Sequence, residues 1–172
     1  MRIFIRTLNV LSNALMFLGG AGVFVMMVLV VCDIIGKYAF NHPIPGVLEI
    51  VAFYFMVMVA FLPLAIVQKE RGHIVIELFT QMLSPRTLAY INVPVSIFGV
   101  LYLGLYVWGS IKQAVRMMNV NQTADIFNLD LLIWPSRWIL PISLILMLLW
   151  LLCQAIAEIT DNAELKKELQ AP

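Results

Sequence analysis

The stretch "DIIGKYAFNHPIPGVLEIV", Asp33 to Val51, lies between two long apolar runs, and its reading decides how the chain crosses from one to the next. Asp33 and Lys37 are spaced i,i+4, which suits a charge pair at the end of an arriving helix. "NHPIPG" cannot continue that helix. Two prolines lack donors and fix φ, and Gly46 permits a sharp turn. Glu49 then falls in the first turn of a departing helix, where a carboxylate meets the positive end of the dipole. The stretch therefore reads as a charged hairpin between two helices. A second reading uses the same residues: Lys37 and Glu49 contact a partner subunit or lipid.

The rest of the chain says which kind of helices these are. Of 172 residues, 62% are hydrophobic and 12% charged, and the mean hydropathy is +0.95. A soluble domain carries about 25% charged residues, so the composition is that of an integral membrane protein. A net charge of +1 offers no field for nucleic acid. Cys32 and Cys153 form no CxxC pair, so thiol–disulfide chemistry and a zinc site lack support, and both thiols are expected to be buried in apolar surroundings. Arg2 and Arg6 precede an apolar run too long for a cleaved leader, which reads as a retained signal anchor.

Four runs are free of charge and long enough to span: Thr7 to Cys32, Ile50 to Gln68, Thr87 to Ile111 and Trp138 to Ala157. Without water to satisfy the backbone, they must be helices. The expected architecture is a single all-α membrane domain over 1–172, with transmembrane helices at about 8–34, 48–68, 87–114 and 136–158. With the N-terminus inside, seven Lys and Arg flank the spans on the cytoplasmic side and four on the outer side. That bias places both termini in the cytoplasm.

Between the second and third spans, "HIVIELFTQML" puts His73, Glu77, Thr80, Gln81 and Ser84 on one arc roughly 100° wide, with apolar residues around the remainder. It predicts a short in-plane amphipathic helix at about 73–83, lying at the interface or against a neighbouring span. The outer segment Met117 to Pro135 is rich in turn formers and is read as a loop. Trp134 and Trp138 suit an interfacial belt, and Arg137 can reach phosphate headgroups.

None of the four runs contains Asp, Glu, Lys, Arg or His. Ionisable residues within a span usually mark ion or proton paths, so their absence argues against a pump or a voltage sensor. His42 and His73 fall on opposite sides of the bilayer and cannot share one metal or haem iron across about 30 Å of hydrocarbon. No nucleophile–base set or phosphate loop appears, so neither a cofactor nor an enzyme is expected. Gly19, Gly20 and Gly22, and likewise Gly99, Gly104 and Gly109, would let another helix approach closely.

Four spans in this length, the hairpin "DIIGKYAFNHPIPGVLEI", "QKERGHIVIELF" after the second span and "IWPSRW" before the fourth resemble the small, DctQ-like membrane subunit of TRAP transporters, the tripartite ATP-independent periplasmic transporters. The resemblance covers nearly the whole chain. Lys37 stands where many members carry Arg, which keeps the charge and loses the planar fork. The resemblance implies a sodium-driven carrier of organic acids, such as a dicarboxylate or a sialic acid, in the bacterial inner membrane. A large multi-span subunit would hold the substrate and sodium, and a soluble periplasmic protein would capture the substrate. This chain would be a scaffold whose outer loops help dock that protein. The implied partner or lipid contacts are Lys37, His42 and Glu49 outside, Gly72, His73 and Glu77 inside, and Trp134 with Arg137. Alternatives are the small subunit of a tripartite tricarboxylate transporter, a stand-alone four-helix exporter, and a membrane redox protein.

Overall fold

The computed structural model describes residues 2–42, 44–70, 85–126 and 129–159. Four helices among them are long and apolar enough to cross a membrane. Helix α1 (Arg2–Ala39) has 38 residues. At 1.5 Å per residue it is about 57 Å long, so it must lean across a hydrocarbon layer of about 30 Å or extend beyond it. It outruns the 8–34 expected from charge, because Asp33 and Lys37 end the apolar run without ending the helix. The backbone ends it. Asn41 takes φ 55, and the N–H groups of Phe40 and His42 turn back onto the Gly36 carbonyl at 3.2 and 3.0 Å. A Cβ on Gly36 would lie 2.9 Å from the His42 carbonyl oxygen, so only glycine allows this fold-back without a backbone shift.

Asp33 does not pair with Lys37 among the described residues. Its Oδ1 instead accepts the Ile44 N–H at 2.8 Å and fastens the loop. Gly46 at φ 85 then starts the second span, α2 (Val47–Lys69). This span is not uniform. One wide π turn covers Val51–Phe55, and Pro63, which has no N–H to give, interrupts the helix after Met56–Phe61. The ladder resumes when Ile66 and Val67 both donate to the Pro63 carbonyl at 3.0 Å. Gly19 of α1 meets this break closely: a Cβ there would lie 3.6 Å from Leu62 and Pro63, and one on Gly22 would lie 3.8 Å from Phe55.

Helix α3 (Pro85–Asn119) keeps Pro94 within it. The connection that follows is a two-stranded antiparallel ribbon, β1 (Thr123–Ile126) and β2 (Leu129–Leu132), with Asp125 opposite Asp130. The Ile133 N–H closes it on the Gln122 carbonyl at 2.9 Å. A 3-10 turn at Trp134–Trp138 leads into α4 (Ile139–Ile159).

Helix α4 touches the other three, and α2 and α4 lie between α1 and α3. In the most apolar window of each span, 44% is buried in α4 against 11% in α1. The core sits at one end, where Ile5 and Leu8 of α1 and Ala65 of α2 pack on Leu146, Trp150, Cys153 and Ala157 of α4. Cys153 is buried as expected, whereas Cys32 is exposed on the outward side of α1. An apolar run cannot tell a packed face from an outward one.

Candidate functional site

Two ends of the bundle carry the polar chemistry. The hairpin end gathers the close of α1, the start of α2, the ribbon and the Trp134–Trp138 turn. There Lys37 and His42 are exposed and Glu49 is half-buried. Trp134 is half-buried and Arg137 exposed on the same turn, so those two share one place. The Tyr54 hydroxyl, carried by the wide turn of α2, donates to the Leu132 carbonyl and ties α2 to the ribbon. Gly72, His73, Glu77 and the amphipathic helix expected at 73–83 lie outside the described residues.

The opposite, tail end holds a knot of polar side chains, uncharged but for Lys69 at its edge. Trp150 is wholly buried, and its indole N–H donates to Ser12 Oγ at 2.9 Å. Gln68 Nε2 donates to Gln154 Oε1 at 2.8 Å. Gln154 Nε2 in turn donates to the Gln68 and Lys69 carbonyls at 2.9 and 3.3 Å. Those carbonyls belong to the last turn of α2, which has no partner of its own there; a side chain of α4 supplies the cap. Lys69 Nζ donates to Asn9 Oδ1 at 2.7 Å and joins α1 to the same place. Amides, a hydroxyl and an indole can cross-link helices in hydrocarbon without any of them carrying charge, and each such bond contributes about 0.6 kcal/mol on average.

Sequence reasoning missed this knot because it weighed ionisable groups alone. A signal was present. With four spans alternating in direction, Asn9, Ser12, Gln68 and Gln154 fall at one depth. A lone polar side chain in lipid needs a partner. The glycines divide: Gly19, Gly22 and Gly99 meet neighbouring side chains within 4 Å, while Gly20, Gly104 and Gly109 face open space. Among the described residues no three His, Cys, Asp or Glu side chains come together as a metal site.

No curated protein matches the chain, nor does any solved structure. A family model does match. It is described as Tripartite ATP-independent periplasmic transporters, DctQ component, and it covers residues 26–161. That span takes in the hairpin, the ribbon, the Trp134–Trp138 turn and α4, in other words the elements that shape the hairpin end. This multi-pass membrane protein therefore belongs to the DctQ family, the small component of the TRAP transporters.

Proposed function

We propose that the chain is the small permease subunit of a sodium-driven TRAP transporter for organic acids, such as a dicarboxylate or a sialic acid. It resides in the bacterial inner membrane with both termini cytoplasmic. It acts as a scaffold for the large multi-span subunit, and its outer loops help dock the periplasmic substrate-binding protein. Lys37, His42 and Glu49 on the outer side, Gly72, His73 and Glu77 on the inner side, and Trp134 with Arg137 are the contacts assigned to partners and lipid.

One observation carries this reading. The buried polar side chains of the knot bond helix to helix, so the polar groups within the spans serve cohesion. A carrier that moves its substrate by displacing one domain needs another body held still in the bilayer. A slab whose flanking helices α1 and α3 keep broad apolar faces outward suits that task. The test is uptake by cells that express the large subunit and the binding protein with or without this chain. Sodium-driven uptake is expected to collapse without it. Uptake at full rate in its absence would remove the proposed role.

A further inference from the structure

Between α2, α3 and the start of α4 lies a half-open pocket of about 260 Å³. Its lining changes character with depth. At the shallow end are Arg137, in the turn that opens α4, and Gln113. Gln113 lies six residues before Asn119, or about 9 Å along the helix. At the deep end are Leu105, a further eight residues down α3, or about 12 Å, its neighbour Tyr106, and Val57 with Phe61 from the middle of α2. Gly109 forms the wall between the two ends.

Arg137 is exposed and forms no hydrogen bond or ion pair with any described residue. Arg116, also exposed, stands one turn above Gln113 on α3 and adds a second cation near the mouth. A guanidinium at headgroup depth matches a phosphate. An apolar slot running about a leaflet's depth below it matches a hydrocarbon chain. A water-soluble organic acid would need several polar groups deep in its site to orient it, and the deep end here sets Tyr106 alone among Leu105, Val57 and Phe61. We infer that the pocket holds one acyl chain of a phospholipid from the leaflet on the hairpin side, with its phosphate on Arg137. The lipid completes the packing of α3 against α2 and α4 where side chains leave a gap. This rests on the chain lying in a membrane and is independent of the scaffold role, so the two can fail separately.

The test is native mass spectrometry of the full chain, extracted from vesicles of phosphatidylethanolamine and phosphatidylglycerol. The wild type is expected to retain one phospholipid. Arg137→Gln removes a charge-assisted contact and is expected to weaken retention about tenfold or more. Gly109→Leu is expected to abolish it: a Cβ there meets nothing within 4 Å, so the side chain grows into the pocket without a clash. Circular dichroism and elution volume check that both variants fold. Millimolar inorganic phosphate should leave the lipid in place. Displacement by phosphate alone would point to a free-anion site and overturn the inference. So would equal retention by all three proteins, no lipid on the wild type, or a cross-link from Gly109→Cys into the large subunit.

Discussion

The two ends of this bundle are held in different ways. At the tail end, α1, α2 and α4 are joined mainly by side chain reaching side chain, with Trp150 on Ser12, Gln68 on Gln154 and Lys69 on Asn9, and Gln154 also caps two backbone carbonyls of α2. At the hairpin end, the bonds go from side chain to backbone, with Asp33 on the Ile44 N–H and Tyr54 on the Leu132 carbonyl. Below that end, α2, α3 and α4 part around a pocket. The difference teaches where a membrane protein can place polar groups. Deep in a bundle they are stable only when bonded to one another. At a loop they serve to set the path of the chain.

Trp150→Ala is expected to act most strongly on this contrast. It empties the centre of the tail end, and such truncations cost about 3–5 kcal/mol in well-packed cores. Reversible unfolding in mixed micelles would measure it, and an unchanged midpoint would mean that the tail end is not the stronger of the two. Gln154→Leu comes next. It strips the last turn of α2 of its cap and is expected to cost about 1–3 kcal/mol. A double-mutant cycle with Gln68→Leu should reveal coupling between the two amides; strict additivity would show that they act apart.

Asp33→Ala tests the other end and should cost less, about 0.5–1.5 kcal/mol. Its clearest sign should be faster proteolytic cutting near Ile44, with the rest of the bundle intact. Equal cutting in both proteins would show that the carboxylate does not fasten the hairpin. Gly104→Leu is expected to be nearly silent in the isolated chain, within about 0.5 kcal/mol, since a Cβ there meets nothing within 4 Å. Any loss confined to assembly with the large subunit would mark that face of α3 as covered.

The hairpin and the spans were legible because local chemistry dictates them. Two prolines and Gly46 within four residues break a helix, and charge-free runs of this length have few other homes than a bilayer. Helix ends were less legible. The apolar pattern reports the hydrocarbon boundary, whereas Asn41 and Gly36 decide where α1 stops. The ribbon reads as loop in the sequence because its strands have four residues each, too few for an alternating pattern to stand out among turn formers. The knot needed the topology combined with uncharged residues. Gln68 and Gln154, 86 positions apart, acquire meaning only when α2 and α4 are placed side by side. Lys37, His42, Trp134 and Arg137 were placed at the hairpin end by topology alone, while the pocket beside Arg137 depends on how three helices diverge.

The proposed scaffold role requires the bundle to keep one shape through the transport cycle. Spin labels at Val10→Cys on α1 and Ile156→Cys on α4, both outward-facing positions, would report that shape in the assembled transporter. The exposed Cys32 would first be replaced by Ser. Pulsed electron–electron resonance should return the same distance distribution in sodium-free membranes and during uptake. A shift of several ångströms between the two conditions would contradict the account, because the chain would then be moving with the transport cycle.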